Sequence, residues 1–384
     1  MILEDEPLLS IAAPDQAERT CCVCRRFASD ATTTLSPCQG CHQAYFCSES
    51  CRQMSLASPW MHGAVICNAY RGLGARELSL EDHSTLRFLV HALTLRETRS
   101  QESISKYQQL ITLCGSPTQL EAHTISRLSP ILAELLGCSS NPSALGTSEE
   151  LASLLRKEQL NSYGLLASVL PEEDDSRKKG SNGRILRGCG LYALASMINH
   201  ECCPNVARFD PGFPSGASGI HPARLPFRAM HDLPAGSEIT QSYCPLDWTF
   251  EERQGQCREV YGFACNCPRC QLEATEGGEA MDEDELGGAS SSRIQEEDIW
   301  GGQGPYSQLP PNPDELPMEE GYLDVFLFKF LCPQIFPNGV ACSGTMAPMA
   351  PADTPEASVL ECNVCASKRT EAEFLRELEE NSKC

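Results

Sequence analysis

Apolar positions along the chain predict helices in its middle and strands in its second half. From about residue 81 to residue 170, leucines recur three and four positions apart, as at Leu86, Leu89 and Leu93, which is the spacing of a buried helix face. Between residues 184 and 270, short apolar runs alternate with glycines and turn residues, a pattern typical of strands and irregular loops. The chain is therefore predicted to be α+β.

Shorter elements are predicted near both ends of the chain. Glu6 to Ile11 fits one strand, and the tail from residue 322 ends in a short helix at about Thr370 to Glu380. Residues 271–320 are rich in glycine, serine, proline and acids, a composition typical of a flexible linker. The apolar stretch from Tyr322 to Leu331 contains two charged residues and is too short to cross a bilayer, so no membrane association is expected.

Charge is unevenly distributed along the chain. The formal net charge is −22, and between Glu273 and Asp324 there are fifteen acidic residues and one basic residue, Arg293. Such an acidic chain is not expected to bind nucleic acid directly, because phosphate contacts dominate that affinity. An acidic surface suits a basic protein or peptide substrate better, and the acidic run itself is most simply a solvated linker.

The 23 cysteines indicate metal binding rather than disulfides. The N-terminus is acidic and lacks the basic region of a secretory signal, so we expect a protein of the nucleus, the cytoplasm or both. In such a reducing compartment, closely spaced cysteine pairs are typical of zinc ligands. The first cluster has the order Cys21-x2-Cys24, Cys38-x2-Cys41, Cys47-x3-Cys51 and His62-x4-Cys67.

Eight ligands in pairs predict two zinc ions, since a structural zinc ion takes four tetrahedral thiolate or imidazole ligands. If the pairs alternate, as in cross-braced fingers, one ion is held by Cys21, Cys24, Cys47 and Cys51. The other is then held by Cys38, Cys41, His62 and Cys67. Two alternatives remain open, Cys22 in place of Cys21 and His42 in place of His62.

Three later segments carry a more specific signal. They read Asn199-His200-Glu201-Cys202-Cys203-Pro204-Asn205, then Glu238-Ile239-Thr240-Gln241-Ser242-Tyr243, then Tyr261 through Cys270. In this order they resemble the NHxCxPN, E-I-x-x-S-Y and post-SET segments of SET-domain lysine methyltransferases. Residues 21–67 resemble a MYND finger. Nearly the whole chain is therefore similar to the SET-and-MYND family, and most similar to its plant ASH1-related branch.

The resemblance implies a fold and a domain order. The fold would be a β-rich SET domain of small sheets with an inserted MYND zinc finger and a helical insert, a zinc-bound post-SET segment and a small cysteine-containing tail. The implied segments are an N-terminal SET strand at 1–20, the MYND finger at 21–67, the helical insert at 68–170, the SET core at 171–248, the post-SET segment at 249–270, the acidic flexible linker at 271–320 and the C-terminal segment at 321–384.

The resemblance also implies an activity, the transfer of a methyl group from S-adenosylmethionine to a lysine of a histone or non-histone protein. Tyr243 would be the catalytic tyrosine and Tyr261 the second tyrosine of the lysine channel. The implied cofactor contacts are Asn161, Asn199, His200, Tyr243 and Phe263. A narrow apolar channel disfavours the ammonium form of lysine, and tyrosines suit such a channel as flat walls with one polar tip each.

Two more sets of cysteines fit zinc. Cys202 with Cys265-x-Cys267-x2-Cys270 makes a third set of four thiolates, which would clamp one wall of the lysine channel. The tail supplies a fourth set of Cys332, Cys342, Cys362 and Cys365. Its first pair is widely spaced, so free cysteines in a small core are the alternative.

One family feature is not found. Family members have a glycine-containing loop before the strand that corresponds to Ile2 to Ile11, and no such motif precedes Cys21. We therefore expect weak binding of S-adenosylmethionine and an unpaired sheet edge. The alternative function is that of a zinc-scaffold adaptor, whose MYND finger binds partner peptides while the SET remnant is inactive. In either case a monomer is expected.

Overall fold

The computed structural model describes residues 2–28, 34–168, 184–210, 223–276, 320–336, 339–349 and 359–381. Within these ranges small sheets and helices alternate, which confirms the predicted α+β fold with its finger, helical insert and cysteine-rich tail. No helix in the described ranges is both long and apolar enough to cross a membrane.

The N-terminal segment forms two strands, where the sequence pattern predicted one. β1 (Leu3–Asp5) and β2 (Pro7–Ala12) belong to different sheets. The chain changes sheets after Asp5, whose buried carboxylate accepts the N–H groups of Leu194 at 2.8 Å and Ala195 at 2.9 Å. This pairing satisfies a carboxylate that burial would otherwise destabilise, and it fixes the point at which the strand breaks.

The region between the N-terminal strands and the later sheets contains the candidate zinc ligands of the finger and a set of helices. The finger region comprises β3 (Ser36–Pro37), β4 (Tyr45–Phe46), α1 (Glu49–Ala57), α2 (Pro59–His62) and α3 (Ala64–Gly74). The helical insert comprises α4 (Leu80–Glu97), α5 (Gln101–Thr112), α6 (Gln119–Leu135) and α7 (Ser148–Asn161). Serine or threonine hydroxyls cap all four of these insert helices at their first turn, which satisfies N–H groups that lack a partner within the helix.

The helical insert is shorter than predicted. It was expected to reach residue 170, but residues 162–168 form strand β5 (Ser162–Ser168), which pairs with β6 (Arg184–Tyr192). Helical periodicity ends at Asn161, and the following Ser-Tyr-Gly sequence is compatible with the extended backbone that the neighbouring strand stabilises. The SET sheets therefore begin earlier than the predicted boundary at residue 171.

Three short sheets make up the SET core. β2, β6 and β5 form one antiparallel sheet, and β1 pairs with β9 (Leu225–Ala229), which pairs with β8 (Val206–Arg208). In addition, β7 (Asn199–His200) runs parallel to β10 (Thr240–Gln241), with His200 opposite Gln241. This short pairing brings the Asn-His segment beside the segment that ends in Tyr243.

The C-terminal part is mostly helical before the last small sheet. Its elements are α8 (Phe250–Gln256), a π-helical turn (Cys257–Tyr261), α9 (Pro268–Glu276), α10 (Glu320–Phe330), β11 (Met346–Pro348), β12 (Val359–Cys362), β13 (Lys368–Thr370) and α11 (Glu371–Asn381). The predicted terminal helix is confirmed. Residues 271–276, predicted as flexible linker, continue helix α9, and residues 277–319 of that linker lie outside the described residues.

The C-terminal tail shares an apolar core with the SET sheets. Phe326 and Phe330 of α10 and Ala347 of β11 pack with Phe209 and Met230, and all five are buried. Burying one large apolar side chain contributes about 1.5–3 kcal/mol, so this shared core holds the tail against the strands that carry the candidate site.

Candidate active site and metal clusters

The structure gathers the predicted metal ligands into four clusters. In each, the four candidate ligand atoms lie within 4.8 Å of one another. The clusters are Cys21, Cys24, Cys47 and Cys51; Cys38, Cys41, His62 and Cys67; Cys202, Cys265, Cys267 and Cys270; and Cys332, Cys342, Cys362 and Cys365. The pairs of the finger alternate between the first two clusters, as in a cross-braced finger.

His62, and not His42, is the fourth residue of the second cluster. His62 is buried with its Nε2 atom 3.5 Å from the Cys41 sulfur, whereas His42 is exposed in the turn that follows Cys41. Burial, together with the positive charges of Arg87 and Arg25, lowers the pKa of His62 to about 4. The imidazole is therefore neutral at pH 7, as a metal ligand must be.

A repeated backbone feature marks three of the four clusters. Four non-glycine residues in the described ranges have positive φ angles, and each directly follows a cluster cysteine. They are Arg25 (60°), His42 (55°), Ser343 (52°) and Ala366 (59°). Side chains with a Cβ rarely adopt this left-handed conformation, so its recurrence indicates a turn that the cluster imposes. The tail cluster shares this turn with the finger.

The donor atoms of all four clusters fit zinc. Thiolates with at most one imidazole, four to a site and mutually close, form the set that tetrahedral structural zinc takes. Free thiols packed this closely would leave several buried sulfurs in mutual contact, such as Cys342 and Cys362 at 3.7 Å. The third cluster also has a buried cation beside it, because the Arg253 Nε atom lies 3.2 Å from the Cys202 sulfur. Nothing in the sequence pattern singled out Arg253.

Tyr243 and Tyr261 are in contact with each other and line the same cavity. Their ring centroids are 4.7 Å apart, and the Tyr243 hydroxyl donates to the carbonyl oxygen of Ile198 at 2.9 Å. Tyr243 follows strand β10, and Tyr261 ends the π-helical turn, a rare element that often occurs at functional sites. Burial and the neighbouring phenols raise the pKa of Tyr243, and burial raises that of Tyr261, so both phenols are neutral at pH 7.

The His200 ring links Tyr243 to the third cluster. Its Nδ1 atom accepts the backbone N–H of Tyr243 at 3.0 Å, so in the neutral ring the proton lies on Nε2. That Nε2 atom is 3.3 Å from the sulfur of Cys202. The ring of His200 also contacts that of Phe263, with centroids 6.0 Å apart.

Of the other predicted cofactor contacts, Asn161 lines the cavity of the tyrosine pair, and Asn199 and Phe263 do not. Asn199 is exposed, and its amide donates to the Glu238 carboxylate at 2.7 Å. Phe263 is 36% exposed and lies beside His200. Asn161 is buried at the end of α7, and its amide donates to the carbonyl oxygens of Cys114 and Lys157 at 2.7 and 2.8 Å. Asn161 thus also has a structural role that the sequence did not predict.

The cavity beside the tyrosines has a volume of about 370 Å³. Its lining includes a third tyrosine, Tyr163, whose hydroxyl donates to the Ala195 carbonyl oxygen at 2.7 Å and accepts from the Gln241 amide at 2.5 Å. Burial raises the pKa of Tyr163 to about 12. Tyr163 lies two residues after Asn161, in the segment that the sequence did single out, and could have been found there.

The described lining of this cavity carries a net positive charge, whereas the chain as a whole is acidic. Of the described residues that line it, none carries a carboxylate and one, Arg208, carries a positive charge. The Arg208 guanidinium lies 5.6 Å from the centre of the Tyr163 ring. A cationic guest in this cavity therefore meets neutral phenols and amides, and one like charge.

Comparisons with known proteins give a consistent set of relatives. No protein-family model matches the chain. It is 28% identical to the histone-lysine N-methyltransferase ASHR2 of Arabidopsis thaliana, over 96% of this chain and 89% of that protein. It is 38% identical over 22% of its length to the histone-lysine N-methyltransferase SMYD3 of Mus musculus, and 30% identical over 34% to the protein-lysine N-trimethyltransferase SMYD5 of Gallus gallus. These last two alignments span 18% and 29% of the relatives.

Proposed function

The chain belongs to the SET-and-MYND family of protein-lysine methyltransferases, and from this membership we propose that it methylates a lysine side chain in the cavity of Tyr243 and Tyr261. The methyl donor is S-adenosylmethionine. The reaction is an in-line displacement in which the lysine nitrogen bonds to the methyl carbon as the carbon–sulfur bond breaks. The nitrogen must be uncharged to supply its electron pair.

The absence of carboxylates from the described lining of the cavity is the observation that carries the proposal. A carboxylate would stabilise the lysine ammonium ion, whereas burial among neutral phenols and proximity to the Arg208 guanidinium destabilise it. Both effects lower the pKa of a bound lysine. Tyr243 and Tyr261 would hold the neutral amine between their faces, and positioning of this kind contributes much of the acceleration of a two-reactant step.

Residues beside the tyrosines fit the cofactor. Phe263 would stack on an adenine ring, and Asn199 and His200 would contact the cofactor from the parallel β7–β10 pair. Asn161 would contact the cofactor from the cavity side. When bound, S-adenosylmethionine supplies the methyl group and its sulfur is the leaving group. The role of the protein is to keep Tyr243 fixed, which the Ile198 carbonyl and the His200 ring both support.

Zinc ions are proposed at all four clusters. The donor sets support all four ions, and the left-handed turns support those of the two finger clusters and the tail cluster. Coordination would supply folding free energy of about 10 kcal/mol for each site. The third ion would join Cys202, next to His200, to the Cys265–Cys270 segment beyond Tyr261. It would thereby fix the distance between the two tyrosine segments.

The remaining proposals concern the substrate, the partner, the oligomeric state and the location of the protein. The net charge of −22 supports a basic protein substrate, for which a histone and hence a role in chromatin regulation are candidates. The MYND finger is proposed as a second contact for a partner peptide. A monomer acting in the nucleus, the cytoplasm or both fits the sequence expectations.

Calorimetry with S-adenosylmethionine on the purified, zinc-loaded chain tests the proposal. We expect saturable binding that Asn199→Ala abolishes, since Asn199 is exposed and its replacement leaves the core intact. Zinc content, measured on the same samples, serves as the folding control. Retained zinc without any cofactor binding would contradict the proposal and favour the adaptor alternative.

A further inference from the structure

Residues beside the tail cluster line the candidate active-site cavity. Four residues that line the cavity with Tyr243 and Tyr261 come from the C-terminal segment, and we name them the knuckle wall: Ser343, Thr345, Asn363 and Val364. Each lies close to a cluster ligand in sequence, since Ser343 follows Cys342 directly, and Asn363 and Val364 separate Cys362 from Cys365. The wall is thus built from the turns around the fourth cluster.

Hydrogen bonds hold the knuckle wall against the SET core. The Asn363 side-chain amide donates to the Arg208 carbonyl oxygen at 2.8 Å, and its oxygen accepts the N–H of Thr345 at 2.8 Å. The Ser343 hydroxyl bonds to the Asp247 carboxylate at 2.5 Å. One amide side chain therefore joins both turns of the wall to the strand that carries Arg208.

A buried ion pair fixes the sheet behind the wall. Glu361 of β12 has a side chain that is 1% exposed and lies 2.6 Å from the Arg228 guanidinium of β9. Burying a carboxylate is unfavourable unless it is paired, so this pair supports one fixed position of the tail sheet. The knuckle wall is consequently an integral part of the cavity.

The shape of the knuckle wall depends on the fourth cluster. Ser343 has a left-handed φ of 52°, and a Cβ atom on the following Gly344 would collide with the Cys362 sulfur. The backbone N–H of Val364 points at the same sulfur at 3.3 Å. Because the turns pack directly on the sulfurs, loss of the ion would move the wall.

The knuckle wall shares its cavity with the two tyrosines but not with the His200–Phe263 pair. Tyr243 contacts the His200 ring at 5.2 Å and Tyr261 contacts the Phe263 ring at 6.4 Å, yet neither His200 nor Phe263 lines the cavity. The proposed adenine contact at Phe263 is therefore outside the cavity that the wall lines. Of the proposed cofactor contacts, Asn161 and Tyr243 line this cavity, and neither belongs to the knuckle wall, which is therefore assigned to the protein substrate.

We propose that the tail metal cluster shapes a substrate-selecting wall, whose hydroxyl and amide groups contact the peptide residues next to the target lysine. This inference rests on the proposed methyl transfer. It gives the fourth cluster a function beyond stability, since the metal ion holds in place the groups that the substrate meets. A substitution in the wall should then change peptide recognition without changing cofactor binding.

The test compares two tryptophan variants of the full-length, zinc-loaded chain. Thr345→Trp adds bulk at a half-buried wall position, and the matched control Ala341→Trp adds it at an exposed position beside Cys342, outside the cavity. The probe is a library of peptides with a single lysine, methylated with radiolabelled S-adenosylmethionine. Calorimetry gives the cofactor Kd, and metal analysis gives the zinc content.

We expect Thr345→Trp to raise the KM for the preferred peptide by about tenfold or more and to change the preferred residues beside the lysine. Its cofactor Kd and zinc content should match those of wild type, and Ala341→Trp should match wild type throughout. The inference would be overturned if Thr345→Trp left the peptide KM and the peptide preference unchanged. It would also be overturned if Thr345→Trp weakened cofactor binding instead of changing peptide recognition.

Two further outcomes, loss of zinc by the variant and lack of activity in the wild type, are interpreted separately. If Thr345→Trp loses zinc, Thr345→Ala replaces it, and an unchanged peptide preference in that variant counts against the inference. If the wild-type chain binds no S-adenosylmethionine or methylates no peptide, the proposed function fails, and the inference that rests on it fails too.

Discussion

His200 accepts the backbone N–H of Tyr243 at its Nδ1 atom, at a distance of 3.0 Å. The opposite nitrogen of the same ring lies 3.3 Å from the sulfur of Cys202. A single imidazole therefore connects the proposed catalytic tyrosine to a proposed zinc ligand. The position of the tyrosine and the integrity of the third cluster are expected to depend on each other.

His200→Ala should test this connection. Removing the ring frees the Tyr243 N–H and removes the donor beside the Cys202 sulfur, so we expect a loss of about 10- to 100-fold in kcat/KM and faster loss of zinc to a chelator. His200→Gln can restore an acceptor and should recover part of the activity. Cys203→Ser, a change at a neighbouring cysteine outside the clusters, is the control. Unchanged zinc release in His200→Ala would show that the ring does not support the cluster.

Arg253 is expected to stabilise the third cluster by its charge. Four thiolates around one zinc ion carry a formal excess of negative charge, and the fully buried Arg253 side chain lies against two of the sulfurs, of Cys202 and Cys270. Arg253 also pairs with the Glu273 carboxylate, so Arg253→Met leaves both the thiolates and Glu273 without this partner, a change that typically destabilises by about 3 kcal/mol. The free energy of unfolding and the zinc content should both fall.

The matched control for this change is Arg258→Met. Arg258 is exposed in the adjoining π-helical turn, so its loss should leave stability near wild type. Equal effects of the two substitutions on the unfolding midpoint would contradict the proposed charge compensation.

Arg208→Gln should shift the pH dependence of methylation. The guanidinium disfavours the ammonium form of a bound lysine, so removing it raises the pKa of that lysine. The acid limb of the kcat profile, which reports the pKa of the bound lysine, is then expected to move to higher pH, by up to about one pH unit. Arg376→Gln, the same change at an exposed position of α11, should leave the profile in place. A shift to lower pH in Arg208→Gln would contradict the account.

His91 should contribute to unfolding in acid. Its Nδ1–H donates to the Trp60 carbonyl oxygen at 2.7 Å and its Nε2 accepts from the Tyr70 hydroxyl at 2.8 Å. Burial lowers the pKa of His91 to about 3, from an ordinary value of 6.5. The contribution of a neutral buried histidine is present above pH 6.5 and is lost as the pH falls toward 3.

Chemical denaturation at several pH values measures this contribution. Between pH 6.5 and 4.5 the wild-type free energy of unfolding should fall more steeply than that of His91→Gln, by up to about 1.4 kcal/mol per pH unit. Parallel slopes for the two proteins would show that His91 titrates normally and is not the group responsible.

Much of the site could be predicted because its signals are local in sequence. Cysteine spacing defined the ligands, and the Asn199-His200 pair and Tyr243 lie within short recognisable segments. The contributions of Arg208, Gln241 and the knuckle wall come from contacts between distant segments, which leave no local pattern. The same holds for the strand break after Asp5, since it depends on N–H groups of Leu194 and Ala195.

Methyl transfer by Tyr243→Phe is the most direct test of the proposed lysine methylation and of the role of Tyr243 in it. The substitution removes one hydroxyl, which donates to Ile198, and leaves the ring contact with Tyr261 and the four clusters intact. Incorporation of radiolabel from S-adenosylmethionine into a single-lysine peptide library is measured for wild type, Tyr243→Phe and the exposed control Tyr322→Phe. We predict transfer by wild type and Tyr322→Phe, and a loss of about 100-fold or more in Tyr243→Phe at unchanged zinc content. Transfer by Tyr243→Phe at the wild-type rate would contradict the assignment of Tyr243, and no transfer by the zinc-loaded wild type would contradict the proposed function.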